Sequence, residues 1–194
     1  IEGHVPVPAG FQFFGVDSGV RHAVSGADYT SVRIGAFMGW RILADVALPG
    51  WGSHLANVTP DEWTKRAAYV PERILGADFL ARYGQTHDPV TRVDPARTYA
   101  VRQPTAHPIL EHARVREFAD LLPRAAEPAI SERLGALMAE SHASYSACGL
   151  GSAATDAIVA QARAAGPAAG IFGAKITGGG SGGTVAVFAR ADVD

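Results

Sequence analysis

The sequence predicts an α+β fold, organised as one domain over residues 1–194. Three observations carry this. Only four stretches suit strands: residues 5–16, 98–101, 174–177 and 184–189. Segments of helical period fill most of the chain between them. Strands and helices do not alternate as β-α-β units, which argues against a parallel sheet. A chain of 194 residues, 47% hydrophobic, can bury one sizeable core.

Pro6 and Pro8 keep residues 5–16 extended, because proline fixes φ and lacks an N–H. Phe11, Phe13 and Val16 then predict an edge strand entering the core. Asp17-Ser-Gly-Val-Arg-His22 is its turn-like exit. A helix is expected over about residues 32–46, capped by Asp28 or Ser31. Val32, Ala36, Gly39, Leu43 and Val46 form its stripe, widened by Ile34 and Phe37. Gly35 and Gly39 lie one turn apart. Each costs about 1 kcal/mol relative to Ala inside a helix, so a neighbour should pack closely on that face.

Pro49-Gly-Trp-Gly52 breaks the chain. Thr59-Pro-Asp-Glu62 then combines an N-cap, proline at the first helical position and Glu three residues after the cap. That helix should end before Pro71, and a second short one should cover residues 71–83 and stop at Gly84. Residues 98–101 are a strand and residues 108–122 a helix, with Val115, Phe118 and Leu122 facing inward. Ile130, Leu134, Leu137, Met138 and Ser141 mark the next helix. Ser152 caps the last, residues 153–165, which Gly166-Pro167 closes.

The stretch Thr177-Gly-Gly-Gly-Ser-Gly-Gly-Thr184 joins the last two strands. Five of residues 178–183 are Gly. Without Cβ atoms the backbone can turn sharply and approach a ligand, and successive N–H groups can form an anion-binding concavity. The alternative is a flexible hairpin tip. Gly178, Gly180 and Gly183 fit a dinucleotide fingerprint, and Gly179, Ser181 and Gly183 fit a nucleophile elbow. Both must open a helix, and here a strand follows. A protein-kinase glycine loop is excluded because too little chain follows it, and a Walker loop because no Lys follows the glycines.

Other candidates are weaker. His107 and His112 are five apart and share no helix face, so no metal pattern is seen. His142 and Cys148 suggest a base and a nucleophile, but no third group is placed beside them; a small buried Cys is the simpler reading. Gly149-Leu-Gly-Ser-Ala-Ala154 is either a phosphate cradle at a helix N-terminus or a plain Ser cap. Tyr29, beside Asp28, has a phenol that can grip a polyol or can sit half-buried with its OH in water. The net charge of −2, without a basic block, predicts neither nucleic-acid nor membrane-surface partners. Cys148 is the single cysteine, so no internal disulfide forms and a cytoplasmic location is expected. The N-terminus lacks signal-peptide character, and the apolar stretch at residues 34–40 is too short to span a bilayer. With no initiator Met, the chain is expected to be a piece of a longer protein.

Three segments together resemble the C-terminal half of sugar kinases of the GHMP superfamily, such as galactokinase. They are Val16-Asp-Ser-Gly-Val-Arg-His-Ala-Val-Ser-Gly-Ala-Asp-Tyr29, Leu137-Met-Ala-Glu-Ser-His-Ala-Ser144 and Gly173-Ala-Lys-Ile-Thr-Gly-Gly-Gly-Ser-Gly-Gly-Thr184. The branch most similar is L-arabinokinase-like, through residues 31–39, Tyr145-Ser-Ala-Cys-Gly-Leu-Gly-Ser152 and Ser181. The resemblance implies an antiparallel ferredoxin-like sheet packed with helices. It implies ATP- and Mg²⁺-dependent phosphorylation of the anomeric hydroxyl of galactose, L-arabinose or a related sugar. Tyr29 and Asp28 would then face the sugar, and Cys148 and Ser152 would lie on the sugar side. Gly178, Gly179, Gly180, Ser181, Gly182 and Gly183 would lie near the transferred phosphoryl group. The superfamily's substrate motif, phosphate loop, Mg²⁺-binding residues and catalytic Asp would belong to a missing N-terminal partner half. The chain alone is expected to be inactive. A non-catalytic sugar-binding or regulatory module derived from such a kinase is the alternative.

Overall fold

The computed structural model describes residues 3–20, 26–46 (side chains from Tyr29 onward), 50–180 and 182–193. The elements in order are β1 (Phe11–Asp17), α1 (Gly26–Val46), α2 (Pro60–Arg66), β2 (Arg73–Leu75), α3 (Gly76–Tyr83), β3 (Thr98–Ala100), α4 (Arg102–Leu121), α5 (Pro128–Ala147), α6 (Ala153–Ala165), β4 (Ile171–Ile176) and β5 (Thr184–Arg190). Helices plus small antiparallel sheets make the fold α+β, as expected. The chain forms two compact units: Val24–Ala113, and Ile1–Ala23 with Arg114–Asp194.

The Val24–Ala113 unit is built around α1. Met38, Ile42 and Leu43 of that helix are buried with Trp63, Val70, Phe79, Tyr99, Val101 and Ile109. The expected close packing on the glycine face is present. A Cβ at Gly35 would land on the Ala100 carbonyl oxygen, and one at Gly39 on the Thr105 hydroxyl. The two glycines thus let α1 seat directly on β3 and the start of α4. The Thr59 cap is a complete capping box: Thr59 Oγ1 accepts from Glu62 N–H at 3.2 Å, and Glu62 Oε2 accepts from Thr59 N–H at 3.1 Å.

Several boundaries differ from expectation. Helix α1 starts at Gly26, so Asp28 and Ser31 lie inside it and neither caps it. Nothing between Gly26 and Val32 breaks a helix, and the apolar stripe simply does not reach its first turns. Residues 73–75 are a strand, not helix, because β2 pairs antiparallel with β3, Arg73 opposite Ala100. A three-residue strand has too little period to be seen without its partner. Helix α4 begins at Arg102 and takes in both Pro104 and Pro108. Pro104 falls in the first turn, where an N–H has no intrahelical partner anyway; Pro108 forgoes one internal bond. Val115 is 57% exposed rather than inward.

The second unit holds a three-stranded antiparallel sheet in the order β1-β5-β4. Strand β1 lies at its edge, as the sequence predicts, with Val16 opposite Val185. Strand alternation sorts the side chains onto two faces. Phe11 and Phe172 cluster with Phe188 on one face, against Phe118, Leu121, Ile130, Leu134 and Met138 of α4 and α5. Phe14, Val16, Ala174, Val185 and Val187 pack on Ile158, Val159 and Ala162 of α6. Helix α5 sits unusually close to β4. A Cβ on Gly135 would land on the Phe172 carbonyl oxygen, and a Cβ on Gly173 would lie 2.7 Å from the Gly135 Cα. This contact seats the helix so that its C-terminal turns reach the end of β4.

Candidate functional site

The glycine loop, residues 177–183, connects β4 to β5. Its closure begins at Thr177, whose N–H donates to Thr184 O at 3.0 Å. Gly178, Gly180, Gly182 and Gly183 all have positive φ, between 71° and 127°, which side-chain-bearing residues rarely adopt. The loop is packed on two sides, so the hairpin-tip reading does not describe it. On one side the turn after β1 holds it: Gly183 N–H donates to Val20 O at 3.1 Å and Ser18 N–H to Gly183 O at 2.9 Å. That turn is rigidified by its own side chains, with Asp17 Oδ1 accepting from Gly19 N–H at 3.0 Å. On the other side lie Tyr145 and Leu150. A Cβ on Gly180 would sit 2.5 Å from the Leu150 carbonyl oxygen and 2.6 Å from Tyr145 Cε1. The Tyr145 hydroxyl donates to Gly178 O at 3.0 Å. Among the described residues, the amides of Gly178, Gly179 and Gly180 donate to nothing. Unbonded amides on a fixed backbone are what an anion-accepting loop requires. Ser181, Arg21 and His22 lie outside the described residues.

The 148–152 loop therefore abuts the glycine loop through Leu150. Cys148 ends α5 and is 8% exposed. Burial pushes its thiol up to about 11, so little thiolate forms at neutral pH. Nor does His142 serve it as a base, because both ring nitrogens are engaged elsewhere. Nδ1 accepts from Ile176 N–H at 3.4 Å, which leaves the proton on Nε2, 3.1 Å from Asp156 Oδ1. The small buried Cys is the reading that holds. Ser152 is a working N-cap for α6: its Oγ accepts from Thr155 N–H at 3.2 Å, and Thr155 Oγ1 accepts from Ser152 N–H at 3.2 Å. With the cap closed and the Asp156 carboxylate in the first turn, the helix start already has its negative partner. A groove of about 510 Å³ lies beside this assembly, between α5, α6 and β4, with Glu140, His142 and Arg163 on its walls.

Tyr29 belongs to the other unit, is 50% exposed and sits on the second turn of α1. One turn further on, Arg33 forks onto Asp88, Nε to Oδ2 at 2.7 Å and Nη2 to Oδ1 at 2.8 Å. Asp88 also accepts from Thr91 Oγ1 at 2.5 Å and Val90 N–H at 3.1 Å. The Arg33 guanidinium, then Thr91 and Val90, hold this carboxyl far below the usual carboxylate range. The Arg33 guanidinium is raised in turn, chiefly by Asp88, with a smaller contribution from the Tyr29 hydroxyl. The pair braces the helix turn that carries Tyr29. The Asp28 side chain lies outside the described residues. Among the described residues no group of three His, Cys, Asp or Glu side chains could hold a metal ion, and no helix is long and apolar enough to cross a membrane.

Sequence reasoning named Tyr145 and Leu150 only within longer stretches, without a role of their own, and passed over Asp156 and Asp88. The helical spacing from His142 to Tyr145 was a visible signal, since residues three apart share a face. Asp88 is isolated in a loop and carries no local signal.

Residues 126–194 match the model of the family described as GHMP kinases C terminal. Along 98% of its length it is 38% identical to L-arabinokinase of Arabidopsis thaliana, of which it spans 22%. Its fold is similar to that of Lactococcus lactis galactokinase, solved in complex with galactose, with a TM-score of 0.70, 14% identity, and coverage of 97% of this chain and 39% of that one. The chain thus spans well under half the length of the relatives it matches.

Proposed function

We propose that residues 1–194 act as the C-terminal half of an ATP-dependent sugar kinase that phosphorylates the anomeric hydroxyl of galactose, L-arabinose or a related sugar. The observation that carries this is the glycine loop, clamped on both sides with the amides of Gly178, Gly179 and Gly180 unbonded, in a chain similar to L-arabinokinase over nearly its whole length. Phosphoryl transfer depends on positioning and on charge stabilisation of phosphate oxygens, which ATP with Mg²⁺ supplies when bound. The amides of residues 178–180 suit phosphate oxygens. The residues that would hold Mg²⁺ are placed in the N-terminal partner half. Residues 178–183, Ser181 included, line the phosphoryl side; Tyr29 and Asp28 face the sugar; Cys148 and Ser152 support the sugar side through their loop. The complete enzyme works in the cytoplasm.

A coupled ADP-release assay tests this with the full-length protein and the 194-residue chain, against a panel of free sugars. Sugar-dependent ADP release is expected from the full-length protein alone. Turnover by the 194-residue chain at a comparable rate would refute the division of labour. Sugar binding without turnover by the full-length protein would favour a derived binding module instead.

A further inference from the structure

We propose that Tyr145 is a positioning residue that sets the direction of the Gly178–Gly179 peptide, and thereby aims the Gly179 amide at an incoming phosphate group. The inference rests on the reading of the loop as phosphoryl-facing and names how that loop is held.

The argument begins with peptide geometry. A trans peptide points its C=O and the following N–H in opposite directions, and no cis peptide occurs among the described residues. The Tyr145 hydroxyl donates to Gly178 O at 3.0 Å. That bond turns the carbonyl toward α5 and so turns the Gly179 N–H away from it. Without the bond, a peptide between two glycines has little to keep it from rotating, because neither residue has a Cβ to restrict φ and ψ. A rotated peptide would present a carbonyl oxygen where an anion needs a donor.

Three further contacts make Tyr145 suited to this. Its ring lies against Gly180, where a Cβ would be 2.6 Å from Cε1, so the side chain holds the loop by packing as well as by its hydroxyl. One turn earlier, His142 Nδ1 accepts the Ile176 N–H at 3.4 Å, tying the same helix to the last residue of β4. The Gly135–Gly173 approach fixes the depth of α5 against that strand. The tyrosine thus projects from a helix held at two points on β4. The far end of the loop is held separately, by Val20 O accepting from Gly183 N–H at 3.1 Å.

The test compares Tyr145→Phe and Tyr145→Leu with the unaltered protein. Phe keeps the ring on Gly180 and loses the hydroxyl; Leu loses both. Backbone order parameters of Gly178–Gly180 are measured by NMR on the 194-residue chain, and kcat and KM on the full-length protein. Order parameters near about 0.85 are expected before substitution and below about 0.6 in Tyr145→Phe. On the full-length protein, kcat should fall about tenfold in Tyr145→Phe and further in Tyr145→Leu, with KM for sugar within about twofold. Unchanged order parameters in both variants overturn the proposal, whatever the kinetics. Lowered order with unchanged kcat upholds Tyr145 as the residue holding the loop and instead removes the phosphoryl-facing reading. A variant that loses order across the whole of β4 and β5 marks Tyr145 as merely structural and also overturns the proposal.

Discussion

Replacing Asp88 with Asn removes one charge from a pair that is half sealed from water. The Asp88 side chain has 0% exposure and that of Arg33 34%. Breaking a buried pair by removing one partner costs about 3–5 kcal/mol, most of it from the charge left behind. Here the remaining guanidinium reaches solvent, and Asn keeps one accepting oxygen for Arg33 or Thr91. The expected loss is therefore smaller than that, about 2–3 kcal/mol. For a chain of this size that corresponds to a fall in Tm of roughly 4–12 °C. The pH dependence follows from the direction of the shift. A carboxyl depressed in the folded state stabilises fully above its unfolded value near about 3.9, and less as the pH drops through and below it. Calorimetry on the wild type and Asp88→Asn should therefore show a constant gap from pH 8 to pH 5, closing below about pH 4 as Asp88 of the unfolded chain takes up a proton while the folded carboxylate stays charged. Equal Tm values at pH 7, or a gap that widens on acidification, would refute the assignment of Arg33–Asp88 as a stabilising buried pair.

Other substitutions probe the packing and the loops. Gly39→Ala should destabilise by about 1–3 kcal/mol in urea denaturation, despite a helix-propensity gain of about 1 kcal/mol, because its Cβ meets the Thr105 hydroxyl. Ser152→Ala should lower the urea midpoint by the equivalent of about 1 kcal/mol at unchanged slope, through loss of the Thr155 N–H bond. With its thiol pushed up to about 11, Cys148 should react with iodoacetamide at neutral pH at least a few hundredfold more slowly than an ordinary thiol near pKa 8.5. Its rate should still be climbing above pH 9.5, and a plateau below that would contradict the buried placement.

Much of the fold was legible in the residues because its signals are local. The Thr59 and Ser152 caps, the Gly84 and Gly166 stops and the stripe Leu134, Leu137, Met138 and Ser141 each depend on a few neighbouring positions. The glycines of α1 announced a close neighbour but could not say which, and Ala100 and Thr105 come from elements some 60 residues away. The same limit hid β2, whose three residues are a strand only by virtue of β3. It also moved the start of α1 to Gly26, past the two residues that looked like caps.

The sequence by itself determined that the loop at residues 178–183 would be almost all glycine, and therefore able to adopt positive φ and bring bare amides to a ligand. Only the tertiary structure decided that this freedom is used up. Tyr145, Leu150 and Val20 hold the loop from both sides, and they come from segments about 30 to 160 residues distant in the chain. The physical reason is that glycine confers conformational range without preference, so the particular conformation must come from whatever packs against it.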